Sequence, residues 1–320
     1  MMIKQNKKMR NIKKENVDFE KVWILCQRQH FLFDEFRKAG YIVIDPFRGY
    51  NRIIPRFFRM IHFKSFFPYK KIWYRRLPTK EPKLVIIREG IVTEDYLKWY
   101  RRYFPKVKTV GLFMNKIKDD YEINLLRKFN CEPTTGDPYD KQRYGISSRM
   151  SSVYLRHFIV EKDKPEEYDV YYIGKGKKGR LEALKHIIGQ LRSRGITVNT
   201  YITSPYPYGI TFGRYKRQLS YIEVLNELKK TKAILHLSQG ASNGITFRVI
   251  ESVVNRIKLI TDDVTIIDTP VYNKNNVFII GKDDFNFIKD FLDLPFIPIE
   301  EKIINSFYFN TDIKHYLENK

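Results

Sequence analysis

Short apolar runs alternate with amphipathic segments along almost the whole sequence, and this alternation constrains the fold more than any other feature. In the first half the apolar runs begin at Val22, Tyr41, Leu84 and Thr109. They are rich in β-branched and aromatic residues and lack the period of a half-exposed strand, which is typical of buried parallel strands. The segments between them have the spacing of amphipathic helices. The pattern therefore predicts an α/β fold.

The second half repeats the pattern, with apolar runs that begin at Tyr168, Ile196, Ala233, Ile257 and Val277. A polar, proline-containing stretch, EKDKPEEYD, separates the halves and predicts a domain boundary. We therefore expect two Rossmann-like domains, over 1–160 and 161–298. Ligands of open α/β sheets bind beyond the carboxyl ends of the strands, so we expect the two domains to face a central cleft.

The net charge limits the class of partner. The chain carries a formal net charge of +23, which indicates a polyanionic partner or an anionic surface. Nucleic acid, phospholipid headgroups and phosphorylated substrates all fit. No apolar run approaches the roughly 20 residues that span a bilayer, and the basic N-terminus lacks the apolar stretch of a secretory signal. The two cysteines are too few for a disulfide framework, so we expect a cytoplasmic protein.

One segment, over 46–80, departs from the alternation. It contains ten basic residues, ten aromatic residues and no carboxylate. Cations interleaved with Trp, Tyr and Phe suit the headgroup region of an anionic membrane, and they also suit stacking on single-stranded nucleic acid. A third interpretation is an irregular insertion whose aromatic residues simply pack on the domain. The first two interpretations share a polyanionic partner, which the composition does not identify.

A polar loop, SQGASNG, follows the apolar run AILHL and leads into a helix near Gly244. The unpaired amides of such a loop and the helix dipole favour a bound anion, and Gly244 lets the backbone approach a phosphate closely. Gly244, Arg248 and Glu251 share one helix face. A carboxylate at Glu251 suits the two hydroxyls of a ribose. Alternatively, Arg248 and Glu251 form an ordinary surface ion pair.

A second glycine-rich stretch, IGKGKKGR, follows the apolar run that begins at Tyr168. Gly174 and the glycines after it predict a loop. Lys175, Lys178 and Arg180 offer positive charge to a diphosphate. The stretch lacks the Gly-Lys-Ser/Thr ending of a P-loop and the spacing of a dinucleotide fingerprint. Two candidate phosphate loops in one domain together indicate a nucleotide site.

Taken in order, these motifs resemble a known family. The order strand, GKGKKGR, helix, then SYIEVLNELKKTKAILHLS, then NGITFRVIES, is similar to the donor domain of GT-B glycosyltransferases. It is more closely similar to transferases of bacterial lipopolysaccharide, capsule and exopolysaccharide biosynthesis. The resemblance covers about 169–295 and is looser in the first half. It implies a nucleotide-sugar held between two Rossmann-like domains, and a C-terminal helix over 299–320 that packs back on the first domain.

The resemblance also implies individual roles. Glu251 is expected to hold the ribose, and Tyr221 to lie near the base. The amides after Gly244 are expected to approach the diphosphate, and Lys175 and Arg180 to neutralise it. The full set of expected donor-binding residues is Gly174, Lys175, Lys178, Arg180, Tyr221, Asn243, Gly244, Ile245, Thr246, Arg248 and Glu251.

This chain departs from the family at one position. Many retaining members carry a second glutamate eight positions before the ribose glutamate, where this chain has Asn243. Asparagine hydrogen-bonds a hydroxyl but carries no charge. The departure leaves open the donor sugar and the stereochemistry of transfer, and it leaves open an inactive relative.

The acceptor and any general base are expected in the first domain. An inverting mechanism needs a carboxylate or a histidine that takes the proton of the acceptor hydroxyl. The candidates are Glu89, just after an apolar strand, and His62, in the basic-aromatic segment. Alternatively, Glu89 is an ordinary loop carboxylate and His62 is structural. The histidines show no metal-binding spacing, and Asp262–Asp263 lacks the middle residue of an Asp-x-Asp motif. We therefore predict no metal and no cofactor.

The sequence thus predicts a metal-independent, GT-B-like glycosyltransferase. It would move a sugar from a nucleotide diphosphate donor to a surface glycan acceptor carried on a lipid. We expect the segment over 46–80 to hold it on the anionic inner face of the cell membrane, without a transmembrane segment. One alternative is a nucleic-acid-binding protein on a Rossmann-like scaffold, although no such motif is visible. The other is an inactive GT-B relative.

Overall fold

The chain forms two α/β units in the computed structural model. Unit 1 comprises Met1–Leu155 and Phe309–Lys320, and unit 2 comprises Arg156–Tyr308. The structure describes residues 18–28, 30–48, 53–65, 69–146, 153–161, 165–205, 215–238 and 245–318.

Unit 1 is built on a five-stranded sheet. Its strands are β1 (Val22–Leu25), β2 (Ile42–Ile44), β3 (Leu84–Arg88), β4 (Lys108–Phe113) and β5 (Glu132–Thr135). Their order is β2-β1-β3-β4-β5, and every pair is parallel. Because the first strand lies inside the sheet and the chain then extends to both sides, the unit has the doubly wound order of open α/β folds.

Five helices follow the strands of unit 1 along the described chain. They are α1 (Phe33–Lys38), α2 (Ile53–Lys64), α3 (Glu94–Tyr103), α4 (Tyr121–Lys128) and α5 (Pro138–Tyr144). The fully buried residues Tyr96, Leu97 and Tyr100 of α3 pack on one face of the sheet with Trp23 and Val85. This spacing along α3 is that of one helix face, which explains why the helix covers the sheet.

Unit 2 repeats the same architecture. Its strands are β6 (Tyr168–Lys175), β7 (Val198–Thr203), β8 (Thr231–His236), β9 (Lys258–Thr261) and β10 (Val277–Ile279). Their order is β10-β9-β8-β6-β7, and every pair is parallel. The order again winds both ways from the first strand of the unit. Its topological switch point therefore lies between β6 and β8.

The helices of unit 2 cover both faces of its sheet. They are α6 (Lys178–Ser193), α7 (Tyr221–Leu228), α8 (Phe247–Asn255), α9 (Ile288–Asp293) and α10 (Glu301–Ser306). Val170 and Tyr172 of β6 pack with Leu184 of α6. The connection through α6 leads from β6 to β7, and the connection through α8 leads from β8 to β9, in the opposite direction along the sheet. Crossovers between parallel strands are right-handed, so α6 and α8 lie on opposite faces of the sheet.

The last helix, α11 (Phe309–Glu318), belongs to unit 1. The Phe309 ring lies 5.2 Å from the Phe36 ring and 5.4 Å from the Tyr41 ring. The Tyr41 hydroxyl donates a hydrogen bond of 2.6 Å to Asn310 Oδ1. The segment predicted as one helix over 299–320 thus forms α10 and α11, which lie in different units.

The predicted α/β class is confirmed, and each predicted strand run forms a strand of a parallel sheet. Four α-helices or strands of the described chain were not predicted: β5, α2, α5 and α9. The segment over 46–80, described in part, contains α2 and a 3-10 helix at Lys70–Trp73 instead of being irregular throughout. Within the described ranges, no helix is long and apolar enough to cross a membrane.

Candidate functional site

The candidate site is the carboxyl edge of the unit 2 sheet at its switch point. There β6 ends at Lys175 and β8 ends at His236. The helices that follow these strands, α6 and α8, begin at Lys178 and Phe247, just beyond the edge. Ligands of open α/β sheets bind at such a point because the neighbouring connections diverge to opposite faces and leave a crevice.

The first turn of α6 is unusually basic. Its N-cap residue, Lys177, makes no side-chain capping hydrogen bond, and the first turn has no acidic residue but contains Lys178 and Arg180. By contrast, α7 begins with a capping box formed by Ser220 and Glu223. The positive end of a helix dipole favours anions, so cations there oppose it. A bound anion at the start of α6 would offset both the dipole and these cations.

Gly174 lies inside β6, and not in a loop as its sequence context predicted. β6 continues because it pairs with β7 as far as Lys175 opposite Thr203. A Cβ atom at Gly174 would lie 2.5 Å from the Tyr172 hydroxyl. The role of this glycine is therefore to leave room for the Tyr172 side chain.

Tyr172 brings Arg180 to the strand edge. Burial raises the pKa of the Tyr172 hydroxyl, while the charge of Arg180 and a hydrogen bond from it act in the opposite direction. The charge of Arg248 also lowers the Tyr172 pKa. The charges of Arg180 and Arg248 thus both act on one hydroxyl near the end of β6. Lys175, at the end of β6, is exposed.

Glu251 is fully enclosed in the protein. Its Oε1 accepts a hydrogen bond of 2.8 Å from the Tyr221 hydroxyl, and its Oε2 accepts one from Arg248 Nη1 in an ion pair. The structure therefore brings together Tyr221, Arg248 and Glu251, three residues that were predicted to bind one ligand. Both carboxylate oxygens are nevertheless engaged with protein groups. The alternative of an exposed surface pair is wrong, because the Glu251 side chain is 0% exposed.

Tyr221 is also packed against two aromatic rings. Its ring lies 4.4 Å from the Phe158 ring and 5.5 Å from the Phe247 ring, and its hydroxyl is used by Glu251. The residue predicted to lie near the base is buried in the structure. Its ring thus serves to orient the hydroxyl toward Glu251.

His236 and Thr246 complete the edge. The Thr246 hydroxyl caps α8 by accepting a hydrogen bond from the Val249 amide, and it lies 3.4 Å from His236 Nε2. Burial, together with the charges of Arg248 and Arg180, lowers the pKa of His236 to about 4. The imidazole is therefore neutral at pH 7. Ile245, which precedes Thr246, is partly buried.

Three of the predicted site residues lie wholly or partly outside the described residues. Asn243 and Gly244 lie outside them. Lys178 is the first residue of α6, but its side chain is outside them.

Glu89, predicted as a general base in unit 1, is used to join two strand ends. Its Oε1 accepts hydrogen bonds from Arg88 and from the Asn115 side chain. Its Oε2 accepts hydrogen bonds from the backbone amides of Met114 and Asn115. A carboxylate with four donors is well suited to holding the loop after β4 against the end of β3. This geometry fits the structural alternative better than a base.

His62 lies on α2 and is partly buried. Its Nδ1 accepts a hydrogen bond of 3.0 Å from the Trp73 indole. His62 thus connects α2 to the 3-10 helix at Lys70–Trp73, which also fits the structural alternative.

The aspartate pair after β9 stabilises loops. Asp262 Oδ1 accepts a hydrogen bond of 2.6 Å from the Ser238 amide. Asp263 caps the 3-10 helix Val264–Asp268 by accepting from the Thr265 amide. In the part of the chain that the structure describes, no group of three or more His, Cys, Asp and Glu residues is arranged to hold a metal ion.

Sequence reasoning missed Tyr172 and did not assign a role to His236. Both lie in strands, and the apolar composition of a strand does not show which of its polar side chains reach the carboxyl edge of the sheet. A signal was nevertheless available, because Tyr172 precedes Gly174 by two positions and a glycine on the same strand face leaves room for a long side chain.

Comparisons with known proteins add little to this geometry. No protein-family model matches the sequence, and no curated protein is significantly similar to it. A sucrose-phosphate synthase from Thermosynechococcus elongatus is similar in structure over 74% of this chain and 69% of its own, at 7% identity and a TM-score of 0.41. What defines the chain is thus its own architecture, two doubly wound α/β units with a basic strand edge in unit 2.

Proposed function

We propose that this protein is a glycosyltransferase that uses a nucleotide diphosphate sugar as donor. The observation that carries the proposal is the basic start of α6 at the switch point of the unit 2 sheet, where Arg180 hydrogen-bonds Tyr172 near the end of β6. A diphosphate with two to three negative charges fits this edge. The order of the phosphate-binding motifs, which resembles the GT-B donor domain, supports the proposal.

In the proposed step, the acceptor hydroxyl attacks the anomeric carbon of the donor sugar. The bond from that carbon to the phosphate oxygen breaks, and the nucleoside diphosphate leaves with the electron pair. Arg180, Lys175 and the first-turn amides of α6 would stabilise the charge that develops on the leaving diphosphate. The acceptor proton passes to a base, for which Glu89 and His62 are poorly placed because their acceptor atoms are already engaged.

A turnover measurement tests the proposal. The protein is incubated with UDP-, GDP-, CDP- and ADP-sugars, with and without a lipid-linked glycan fraction, and release of the nucleoside diphosphate is followed. We expect one donor to be consumed, and Arg180→Ala to slow release at least tenfold. Lys185→Ala removes an exposed cation from the same helix and should leave the rate unchanged. No release from any donor, with or without acceptor, would favour the inactive relative.

We further propose that unit 1 docks on an anionic membrane, which would bring the enzyme to a lipid-linked acceptor. The docking surface is the outer face of α2 together with the 3-10 helix at Lys70–Trp73. Its exposed apolar side chains are Phe57, Phe58, Met60, Ile61, Tyr69 and Ile72. The inner face of α2 is fixed, because Arg59 stacks on Phe47 at 4.8 Å and Phe63 packs on the same ring.

The charge of this surface favours lipid headgroups. Phe57 and Phe58 are 49% and 57% exposed, and the segment around them has no carboxylate from Pro46 to Lys80. Insertion of each aromatic side chain is worth about 1.5–3 kcal/mol when burial is complete, and each cation near an acidic leaflet about 1 kcal/mol. An amphipathic helix with its polar face inward and its apolar face outward suits such a surface.

Vesicle sedimentation tests the docking surface. The wild type should bind vesicles that contain phosphatidylglycerol and bind phosphatidylcholine vesicles weakly. The double variant Phe57→Ser, Phe58→Ser should lose at least tenfold in affinity, whereas Phe287→Ser, at an exposed position in unit 2, should not. Stronger binding to single-stranded oligonucleotides than to acidic vesicles, lost in the same double variant, would instead support the nucleic-acid-binding alternative.

A further inference from the structure

Glu251 has no oxygen that faces a ligand. Its side chain is 0% exposed, with Oε1 on the Tyr221 hydroxyl and Oε2 on Arg248. Its backbone carbonyl also accepts a hydrogen bond of 2.9 Å from Asn255. A ribose could reach the carboxylate only by displacing a charged partner and a phenol at the same time. A buried carboxylate that loses its partners incurs a large desolvation cost, which disfavours this exchange.

Arg248 is the member of this trio that reaches solvent. Its side chain is 24% exposed, whereas that of Glu251 is 0% exposed. The guanidinium of arginine has five N–H donors on three nitrogen atoms. Among the described residues, the nitrogen with a hydrogen-bond partner is Nη1. The remaining donors are therefore available to an anionic ligand.

The guanidinium lies close to the strand edge. Burial raises the pKa values of Tyr171 and Tyr172 and lowers that of His236, and the charge of Arg248 acts to lower all three, which lie on β6 and β8. The Tyr171 hydroxyl is fully buried and has no hydrogen-bond partner among the described residues. A buried hydroxyl without a hydrogen-bond partner is uncommon in proteins, and this one lies within range of the Arg248 charge.

We infer that Arg248 is the residue of α8 that contacts the anionic part of the ligand, and that Glu251 and Tyr221 are positioning residues. The inference rests on the proposed function and changes the role of Glu251 from a ribose ligand to a support for Arg248. Glu251 fixes one edge of the guanidinium, and the Tyr221 hydroxyl fixes Glu251. The planar fork is thereby held in one orientation before the ligand binds, which reduces the entropy lost on binding.

The two roles of Glu251 predict different binding patterns. A ribose contact would make the protein prefer ribonucleotides to 2′-deoxy and 3′-deoxy nucleotides, and Glu251→Gln would abolish that preference. A positioning role leaves that preference unchanged in Glu251→Gln. It also predicts that Arg248→Ala and Glu251→Ala weaken binding of a nucleoside diphosphate by similar factors, and that the double variant is no weaker than Arg248→Ala.

The experiment is a double-mutant cycle measured by calorimetric titration. The probes are UDP, GDP, CDP and ADP, the 2′-deoxy and 3′-deoxy forms of the one that binds, and inorganic pyrophosphate. Arg248→Ala should weaken diphosphate and pyrophosphate binding at least tenfold, since hydrogen bonds to charged groups are the stronger class. Arg248→Lys should recover part of the loss, because it restores the charge without the fork.

A matched control separates positioning from loss of folding. Asp169 and Lys232 form an ion pair of 3.0 Å near the amino ends of β6 and β8, in the same unit. Asp169→Ala should leave every affinity unchanged. Circular dichroism of each variant reports whether unit 2 remains folded, and Glu251→Gln, which keeps the shape of the side chain, replaces Glu251→Ala if the latter does not fold.

The outcomes distinguish this inference from the proposed function. Pyrophosphate binding that is lost in Arg248→Ala, without binding of any nucleotide, supports the anion contact and overturns the donor site. Nucleotide binding with additive losses, or a ribose preference that disappears in Glu251→Gln, overturns the positioning role while the donor site stands. Unchanged affinities in Arg248→Ala overturn the inference outright.

Discussion

At the scale of single residues, Glu89 and Glu251 are carboxylates whose bonding partners are all protein groups. Glu89 accepts four hydrogen bonds at the ends of β3 and β4, and Glu251 accepts from a tyrosine and an arginine. Their positions in the sequence suited catalysis and ribose binding. Burial and hydrogen bonds from protein groups distinguish these carboxylates from reactive ones, and both depend on contacts that the sequence does not show.

Replacement of Glu89 should therefore affect stability. In Glu89→Gln one carboxylate oxygen becomes an NH2 group that faces donors instead of accepting from them, so two of the four hydrogen bonds are lost. We expect the free energy of unfolding of unit 1 to fall by about 1–3 kcal/mol. Urea unfolding followed by tryptophan fluorescence measures this, because Trp23, Trp73 and Trp99 all lie in unit 1.

Glu182→Gln, at an exposed position on α6, is the control and should change nothing measurable. If Glu89→Gln unfolds like the wild type but transfers sugar far more slowly, Glu89 is a base after all.

His236 should make the stability of unit 2 depend on pH. Its pKa is lowered from 6.5 to about 4 in the folded protein. Between these values the unfolded chain binds more protons, so the free energy of unfolding falls as the pH drops. The slope reaches up to about 1.4 kcal/mol per pH unit. Asp262 and Asp263 oppose the shift, whereas Arg180 and Arg248 contribute to it.

Unfolding followed by circular dichroism between pH 7 and pH 4 tests this dependence. The slope should be smaller in His236→Gln than in the wild type. His186→Gln, at an exposed position on α6, should follow the wild type. Parallel curves for the wild type and His236→Gln would show that the fold does not lower the pKa of His236.

At the scale of elements, the beginning of α6 is arranged around Tyr172. Gly174→Ala adds a methyl group that collides with the Tyr172 hydroxyl and displaces it from Arg180. We expect this variant to bind a nucleoside diphosphate several-fold more weakly, as measured by calorimetry.

Gly189→Ala is the matched control within α6. Nothing lies within 4 Å of the added methyl group. It should bind normally and raise the free energy of unfolding by about 0.5–1 kcal/mol, because glycine is a poor helix residue. Equal binding by the two variants would show that Tyr172 does not position Arg180.

Nine of the ten strands were predictable because each is a buried apolar run. The elements that were missed, such as β5 and α2, were missed for physical reasons. β5 has the sequence EPTT, with a proline that only an edge strand tolerates, and β5 is indeed at the edge of its sheet. α2 was missed because its exposed face is apolar and its buried face includes Arg59, which reverses the usual pattern. The basic start of α6 was predictable from Lys178 and Arg180, whereas the loop predicted at Gly174 is part of β6. The burial of Glu251 and Tyr221 was not, since it depends on tertiary packing.

At the scale of the whole molecule, each unit has its own sheet and core, and the last helix belongs to unit 1. Phe309→Ala removes a fully buried ring that packs on Phe36 and Tyr41. It should lower the free energy of unfolding of unit 1 by about 3–5 kcal/mol. Tryptophan fluorescence, which reports unit 1, should show the transition at lower urea concentration.

Far-UV circular dichroism of the same variant should retain a later transition from unit 2, and Phe287→Ala should leave the fluorescence transition unchanged. A single transition common to both probes in Phe309→Ala would show that the units unfold together.

The central claim is that the edge of β6 and β8 in unit 2 binds a nucleoside diphosphate. The most direct test is calorimetric titration of the wild type and Arg180→Ala with UDP, GDP, CDP and ADP, and with the corresponding nucleosides. We expect one diphosphate to bind, its nucleoside to bind more weakly, and Arg180→Ala to lower the diphosphate affinity at least tenfold. If no diphosphate binds, or if Arg180→Ala binds as tightly as the wild type, this edge of the sheet is not a nucleoside diphosphate site.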